Sequence, residues 1–238
     1  MRAKLNDPEL VRREYEDESR FKVRQSVWST ATGPDAHDVV LEALKAISPT
    51  RVLEAGPGQG ELSERIAREL GADVVAVDQS ERMVDLTRAR GIEALVGDVQ
   101  ALPFDDGSFD GAVAAWMLYH VPDVDRAVAE LHRVLRPGGR LVAVTNSAWN
   151  LSELWSLVGE TPKADYPFGR ENGRDVLRKQ FPRVQAHDLD GEVTFPDHAA
   201  ARAYVTASPV RGHKAGILPH FEGPLVARRR VTVFVATK

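Results

Sequence analysis

A glycine-rich turn between two regular elements constrains this chain more than any other feature. The turn reads Glu54-Ala55-Gly56-Pro57-Gly58-Gln59-Gly60 and separates the apolar run Arg51-Val52-Leu53 from the helical run 61–70. Glycine permits sharp turns and lets a ligand contact bare main chain, because it has no Cβ. The following helix N-terminus adds unpaired N–H groups. The sequence therefore predicts a strand, a cofactor loop and a helix, with a purely structural turn as the alternative.

The positions of the three glycines decide between classes of cofactor loop. Gly56, Gly58 and Gly60 place the third glycine one residue early for a dinucleotide fingerprint, where Glu61 stands instead. No Lys-Ser or Lys-Thr pair follows, so the loop is not a phosphate loop. Glu54 would repel a pyrophosphate but suits a ligand that carries an ammonium group. A dehydrogenase is therefore disfavoured.

The run 52–60 resembles the first motif of the class I S-adenosylmethionine-dependent methyltransferases, which is two apolar residues followed by [DE]-x-G-x-G-x-G. The resemblance implies S-adenosylmethionine as cofactor and S-adenosylhomocysteine as product. It also implies that Glu54, Gly56, Gly58 and Gly60 bind that cofactor.

A carboxylate also stands at the end of the second predicted strand. The run 73–77 is short and apolar, and Asp78 follows it, eighteen positions after Gly60. Ligands of open α/β sheets bind outside the carboxyl ends of the strands, where an acidic residue accepts hydrogen bonds from a ribose diol. Asp78 is therefore a predicted ribose contact.

The segment after Asp78 resembles the second motif of the same family. It reads Asp78-Gln79-Ser80-Glu81-Arg82-Met83, and the resemblance implies that Gln79 contacts the cofactor and that Met83 packs on the adenine ring. Met83 has plain helix core as its alternative role. Ser80 is the predicted N-cap of a helix over 81–90.

The third predicted strand, 94–96, is followed by Gly97, Asp98 and Val99. Resemblance to the family implies that Asp98 accepts a hydrogen bond from the adenine amino group, while the Val99 N–H donates to a ring nitrogen. Aspartate after a strand also forms Asx-turns, which is the alternative for Asp98.

The fourth strand, 109–115, introduces the most recognisable part of the chain. Its last residue, Ala115, is a further expected cofactor contact, and a helix is predicted over 124–135 with a strand over 140–145. Residues 136–139, Arg-Pro-Gly-Gly, are expected to end the helix. The LYHVPD and VLRPGGRL strings resemble the UbiE-like, type 11 branch of small-molecule methyltransferases, and the whole resemblance covers residues 50–146.

Alternation of strands and helices predicts an α/β fold with a doubly wound, mostly parallel sheet and helices on both faces. The family resemblance implies seven strands with an antiparallel last strand. We expect one domain over residues 1–238. Its expected parts are a helical cap (1–34), a cofactor-binding core (50–146), an insertion (147–180), and C-terminal strands with a helix (181–238).

The tail and the insertion carry the remaining expectations. A sixth strand is predicted over 183–189, a helix capped by Asp197, and a last strand over 231–236. Arg228-Arg229-Arg230 precedes that strand as a solvated turn or, alternatively, as a contact for an anionic substrate. The insertion predicts a short amphipathic helix whose aromatic residues either line an apolar substrate pocket or seal the insertion against the core.

Composition excludes several classes of function. The 238 residues are 43% hydrophobic, carry a net charge of −4 and include no cysteine. The charge gives no basic patch for nucleic acid. The absence of cysteine removes disulfides and thiol nucleophiles. No metal site is expected. The charged start and the lack of a long apolar stretch predict a cytoplasmic protein without a membrane span. The oligomeric state is left open.

Methyl transfer mainly requires that a nucleophile be positioned in line with the methyl group while water is excluded. A base is needed only for a weakly nucleophilic acceptor, and His120 is the candidate, with a purely structural role as its alternative. Residues expected to contact the acceptor are Tyr15, Trp28, Trp116, Tyr119, Asn146 and Trp149. The predicted function is methylation of a small secondary metabolite or quinone-like molecule. The alternatives are an RNA methyltransferase and a non-catalytic S-adenosylmethionine-binding protein.

Overall fold

The computed structural model describes residue 6 and residues 23–238. Most of the expected N-terminal cap, including Tyr15, lies outside those residues. Seven strands are described: β1 (Arg51–Ala55), β2 (Asp73–Asp78), β3 (Glu93–Val96), β4 (Phe109–Ala115), β5 (Leu135–Asn146), β6 (Arg183–Phe195) and β7 (Leu225–Thr237). The α-helices of the described part are α1 (Ala36–Lys45), α2 (Glu61–Leu70), α3 (Glu81–Ala89), α4 (Val124–Val134), α5 (Ser152–Leu157), α6 (Gly173–Arg178) and α7 (His198–Thr206). Short 3₁₀ helices cover Val27–Thr30, Leu118–His120 and Gly212–Ile217.

All seven strands form one sheet in the order β3-β2-β1-β4-β5-β7-β6. The pairs among β1 to β5 are parallel, whereas β7 runs antiparallel between β5 and β6. The predicted doubly wound sheet with an antiparallel last strand is confirmed.

Helices cover both faces of the sheet because the central strands are apolar on both sides. Successive strand side chains point to opposite faces, so Leu53 and Val52 enter different cores. Leu53 belongs to the core formed with Leu131 of α4. Val52 belongs to the core formed with Leu44 of α1 and Ile66 of α2. Full burial of these side chains explains why the strands read as continuous apolar runs.

Two predicted helix starts are confirmed by their caps. The Ser80 hydroxyl accepts a hydrogen bond from the Met83 N–H at 3.4 Å at the start of α3. The Asp197 carboxylate accepts one from the Ala200 N–H at 2.8 Å at the start of α7. Each cap satisfies a donor that the first helical turn leaves without a partner.

The last three strands are longer than predicted. β5 begins at Leu135, opposite Phe109 of β4, so residues 136–139 lie inside the strand rather than in a turn before it. β6 continues to Phe195, six residues beyond the predicted end, because it pairs with β7 along its whole length. The arginines of the run 228–230 accordingly lie within β7, and their interpretation as a solvated turn is wrong.

We expect Asp110→Ala to destabilise the fold by about 2–4 kcal/mol, because it leaves buried donors without an acceptor. The Asp110 carboxylate, 7% exposed, accepts hydrogen bonds from the Thr50 and Arg51 N–H groups, each at 2.8 Å, and lies 2.5 Å from the Arg136 guanidinium. Burial alone would raise the pKa of Asp110, but these donors hold it below its usual value. The stabilisation is therefore present at neutral pH and lost as the pH falls through that lowered pKa.

Urea unfolding followed by tryptophan fluorescence measures the effect. Asp73→Ala is the control, because the Asp73 side chain is 65% exposed and its ion pair with Arg51 is long, at 3.7 Å. Such exposed pairs contribute about 0–1 kcal/mol. Equal losses of unfolding free energy in the two variants would contradict the buried role of Asp110.

Candidate functional site

A cleft of about 1540 Å³ opens at the carboxyl ends of the central strands. This is the edge of an open α/β sheet at which ligands bind. Of the residues predicted from sequence to bind cofactor, those that line the cleft are Glu54, Gly56, Gly58, Asp78, Gln79, Val99 and Ala115. Of the predicted catalytic and acceptor residues, those that line it are His120, Trp28, Trp116, Tyr119 and Asn146.

The glycine loop presents bare backbone to this cleft. Gly56 and Gly58 have φ angles of 67° and 58°, in the left-handed region that favours glycine. A Cβ at Gly56 would lie 2.8 Å from the Met117 Cβ, whereas a Cβ at Gly58 would meet no protein atom within 4 Å. The space above Gly58 is thus open, and a ligand can contact its main chain directly.

Helix α3 and Arg90, the residue that follows it, hold the glycine loop through two side-chain hydrogen bonds that were not predicted from sequence. The Thr87 hydroxyl donates to the Gly58 carbonyl at 3.3 Å, and the Arg90 Nε donates to the Gln59 carbonyl at 2.6 Å. Gly60 does not line the cleft. A Cβ on it would lie 3.0 Å from the Thr87 Cα, so Gly60 allows α3 to pack closely. The apolar periodicity of this segment predicts which residues face the core. It does not show that Thr87 and Arg90 bond to the loop rather than lie in solvent.

Two carboxyl groups, one buried and one half-buried, form the polar wall beside the loop. Glu54 is 1% exposed and accepts a hydrogen bond from the Ser63 hydroxyl. Burial raises the pKa of Glu54 to about 7, the Ser63 hydrogen bond opposes that rise, and the charge of Asp78 adds to it. Burial also raises the pKa of Asp78 to about 6, against hydrogen bonds from backbone N–H groups that include Ser80 at 2.9 Å. Both groups lose their charge easily because desolvation penalises the ionised form.

The third strand end contributes apolar surface and no carboxylate. Asp98 does not line the cleft: its Oδ1 accepts hydrogen bonds from the Gln100 backbone N–H at 2.8 Å and from the Gln100 Nε2 at 3.0 Å. This is the Asx-turn arrangement. Val96, which is 52% exposed, and Val99 line the cleft, while Met83 is fully buried and does not.

The backbone after β4 bends sharply into the cleft. Trp116 has a φ of +53°, a strained value for a bulky residue, and its N–H donates to the Val144 carbonyl at 2.9 Å. Its indole Nε1 donates to the Asn146 Oδ1 at 3.3 Å, and its ring meets the His37 ring edge-on at 5.6 Å. Burial lowers the pKa of His37, so this imidazole is neutral near pH 7. His37 lines the cleft and was not predicted.

Tyr119 and His120 follow in the 3₁₀ helix Leu118–His120. Their rings meet edge to face with centroids 4.5 Å apart, and both line the cleft. The His120 N–H donates to the Met117 carbonyl at 2.9 Å. The imidazole is therefore held at the mouth of the cleft by a short, hydrogen-bonded turn.

The cleft continues beyond the strand ends into a second region. We call its first region the glycine-loop half, formed by residues 54, 56–59, 78–81, 96, 97 and 99. The second is the aromatic half, formed by Trp28, Asn150, Trp155, Tyr166, Tyr204, Arg211 and Arg229. Of these residues, Trp28 was a predicted acceptor contact, and Arg229 belongs to the arginine run for which an anionic-substrate contact was the alternative interpretation.

Helix α5 is the predicted amphipathic helix of the insertion. Leu151, Leu154 and Val158 are fully buried, whereas Trp155 lines the cleft. Among the aromatic residues of the insertion, Trp155 and Tyr166 line the cleft, whereas Phe168 is fully buried in the core. Contact of the first two with a substrate stays a prediction. Trp149 is 38% exposed and does not line the cleft.

The described part of the chain contains no helix of sufficient length and apolarity for a membrane crossing. Within the same residues, no group of three or more metal-ligating side chains is arranged to hold an ion.

Comparison with known proteins identifies the family. Residues 53–143 match the family model described as a methyltransferase domain. An uncharacterized methyltransferase from Mycobacterium bovis is 35% identical over 192 residues, which cover 75% of this chain and 73% of the relative. A demethylmenaquinone methyltransferase from Thermobifida fusca is 31% identical over 195 residues, covering 78% of this chain and 75% of the relative.

The solved structure of the YcgJ protein from Bacillus subtilis shares the fold, with a TM-score of 0.63 at 17% identity over 85% of this chain and 97% of that one. Each of the two alignments covers more than two thirds of this chain and of the relative. The methyltransferase-domain match runs from β1 to β5. The chain therefore belongs to the class I S-adenosylmethionine-dependent methyltransferases, in the UbiE-like, type 11 branch.

Proposed function

We propose that this enzyme binds S-adenosylmethionine in the glycine-loop half of the cleft and methylates a small, ring-bearing organic molecule held in the aromatic half. The proposal rests mainly on the observation that the two halves of one cleft have different linings. The carboxyl groups of Glu54 and Asp78 and open glycine backbone line one half, and aromatic side chains line the other. The demethylmenaquinone methyltransferase relative supports a quinone-related acceptor.

The residues of the glycine-loop half fit the proposed cofactor. The open space above Gly58 admits the methionine and ribose portions against the main chain. Asp78, at the end of β2, is placed to accept hydrogen bonds from both ribose hydroxyls. Glu54 offers a carboxylate to the cofactor's ammonium group. Val96 and Val99 offer apolar surface to the adenine ring.

Three of the predicted cofactor residues act indirectly in this proposal. Gly60 lets α3 approach the loop, and Met83 packs in the core beneath it. Asp98, held by Gln100, shapes the turn that presents Val99. Gln79 and Ala115 line the cleft and remain proposed contacts.

S-adenosylmethionine, when bound, supplies a sulfonium-activated methyl group for in-line displacement. The protein must hold the acceptor atom on the sulfur–methyl axis and exclude water. Trp116, Tyr119 and Asn146 line the cleft, and we assign them to orienting the acceptor. Trp28 lies at the aromatic half and is assigned to covering it.

His120 is the proposed base for an acceptor that must lose a proton. Its imidazole stands at the cleft mouth on a turn fixed by the Met117 carbonyl. An imidazole takes up a proton near neutral pH and passes it to water at the cleft mouth.

Asp78→Ala is expected to weaken the binding of S-adenosylhomocysteine by about 1–3 kcal/mol, roughly 5- to 150-fold, because buried ribose hydroxyls lose their acceptor. Isothermal titration calorimetry measures the affinity. Asp73→Ala is the matched control, since Asp73 begins the same strand at the edge of the sheet away from the cleft. Unchanged affinity in folded Asp78→Ala would refute the ribose contact, and no binding to the wild-type protein would reject the proposed function.

Binding of S-adenosylhomocysteine is expected to weaken as the pH falls from 8 to 5.5. The pKa of Glu54 is raised to about 7 and that of Asp78 to about 6, so acid protonates the groups that must accept hydrogen bonds. If binding requires both charges, the loss is roughly 100-fold. Calorimetry in two buffers of different ionisation enthalpy counts the protons released.

The Glu54→Gln variant provides the control for this pH dependence. It should retain only the step near pH 6 that belongs to Asp78. A flat profile in the wild-type protein would contradict the requirement for ionised carboxylates.

The role of His120 is tested with a radiolabelled methyl donor and a mixed metabolite extract, which identifies an acceptor fraction. For a hydroxyl acceptor, His120→Gln should slow label transfer by about 10²- to 10⁴-fold without changing the affinity for S-adenosylhomocysteine. His213→Gln is the control, because His213 is exposed and does not line the cleft. Transfer at the wild-type rate by His120→Gln would show that the histidine is structural, and binding without any transfer would indicate a non-catalytic binder.

A further inference from the structure

Arg229 is a buried cation on the wall of the aromatic half. Only 7% of the residue is exposed, yet it lines the cleft. Its guanidinium donates one hydrogen bond, to the Pro34 carbonyl, and its Nε has no partner. The preceding residue differs completely: the Arg228 side chain is 68% exposed, lies 3.8 Å from Glu153 and does not line the cleft.

No carboxylate of the described residues forms an ion pair with Arg229. The two acidic groups that influence it, Asp35 and Asp190, are engaged elsewhere. Asp35 caps α1 and pairs with Arg65 at 3.9 Å, and Asp190 pairs with Arg170 at 2.7 Å. A guanidinium stays charged at all ordinary pH values, so the fold retains a desolvated positive charge without a direct counter-charge.

The aromatic half that Arg229 lines also contains two packed rings and a second arginine. The Trp155 and Tyr204 rings lie 5.9 Å apart, and the Arg211 guanidinium stacks 4.7 Å above the Trp155 ring. Arg211 also donates to the Tyr166 hydroxyl at 3.3 Å and lies 3.8 Å from Glu160. Glu160 also pairs with Lys214, so Arg211 lies beside a carboxylate that two cations share, whereas no ion pair of Arg229 is present among the described residues.

Arg229 is far from the proposed position of the cofactor. Neighbouring strands lie about 4.8 Å apart, and β7 is three strand positions from β1, a separation of roughly 14 Å. The carboxyl groups of Glu54 and Asp78 stand at the other end of that span. The cleft thus has an acidic half and a basic, aromatic half.

We propose that the methyl acceptor is an organic anion: a planar ring that packs against Trp155 and Tyr204 and carries a carboxylate or phosphate group paired with Arg229. The inference rests on the proposed methyl transfer and specifies the chemical class of its acceptor. A guanidinium binds such groups through two parallel hydrogen bonds, and Arg229 has an unused Nε donor for one of them.

Three naphthalene derivatives test the proposal on protein saturated with S-adenosylhomocysteine. They are 2-naphthoate, 2-naphthyl phosphate and the neutral 2-naphthamide, which share one ring system and differ in charge. We expect at least one anion to bind more tightly than the amide by roughly 10- to 100-fold in calorimetric titration. Which anion binds better distinguishes a carboxylate acceptor from a phosphate acceptor.

Variants assign the preference to one side chain. Arg229→Gln should remove most of the advantage of the anion over the amide, whereas Arg229→Lys, which keeps the charge, should restore part of it. Uptake of S-adenosylhomocysteine by Arg229→Gln, measured in the loading step, shows that the glutamine variant is folded. Arg228→Gln, on the same strand but outside the cleft, should bind all three compounds as the wild-type protein does.

Four results would overturn the proposal. These are equal binding of the amide and both anions, no binding of either anion, an unchanged preference in Arg229→Gln, and a loss of S-adenosylhomocysteine affinity in that variant in place of anion affinity. The last result would assign Arg229 to the cofactor carboxylate. Failure of the wild-type protein to take up S-adenosylhomocysteine is seen earlier, in the loading step, and would reject the proposed function together with this inference.

Discussion

Parallel pairing of β1 with β2 and β4 is the constraint on which the site depends. Ala55 lies opposite Val77 in register, so both strands end at the same level, and the Gly56 N–H donates to the Val77 carbonyl at 2.8 Å. This alignment places the carboxyl groups of Glu54 and Asp78 on one wall of the cleft and within electrostatic range of each other. Their burial there raises the pKa of each group. The site therefore tolerates two neighbouring acids, because one of them can hold a proton.

The glycine-loop half was largely predictable because its determinants are local in sequence. Apolar runs that end in a carboxylate predicted β1 and β2. The glycines predicted the turn, and Ser80 predicted the start of α3. Each pattern reports the backbone geometry within a few residues, and parallel pairing then brings the strand ends together without further information. Asp98 shows the limit of this reasoning. Its carboxylate accepts hydrogen bonds from both the backbone N–H and the side-chain amide of Gln100, and neither the apolar runs nor the glycine positions of the sequence report these contacts.

The aromatic half was not predictable in the same way. Trp155, Tyr204, Arg211 and Arg229 come from four separate elements and meet only after β6 and β7 have formed their long antiparallel ladder. The lengths of those strands were themselves underestimated, because polar residues on the outer strand of a sheet resemble a loop in sequence. A run of three arginines favoured a solvated turn, yet alternation along β7 exposes Arg228 and buries Arg229. Period-2 alternation is thus the signal that separates the neighbouring arginines, and it becomes interpretable only once the strand is recognised.

The two halves of the cleft respond differently to the cost of burying charge. Glu54 and Asp78 have raised pKa values near neutrality, so the acidic half can discharge itself by binding protons whenever no ligand is present. The Arg229 guanidinium cannot lose its charge in the same way. Burial lowers its pKa, but the ordinary pKa of a guanidinium is so high that the group stays protonated. The acidic half is therefore fully charged only above neutral pH, whereas the basic half keeps its charge at every pH at which the protein is folded. In our proposal, the cationic donor lies in the acidic half and the anionic acceptor in the basic half, and methyl transfer then removes the sulfonium charge. The attraction between the sulfonium and the anionic acceptor is lost at that step. The products therefore bind each other's neighbourhood less tightly than the substrates did, which favours product release.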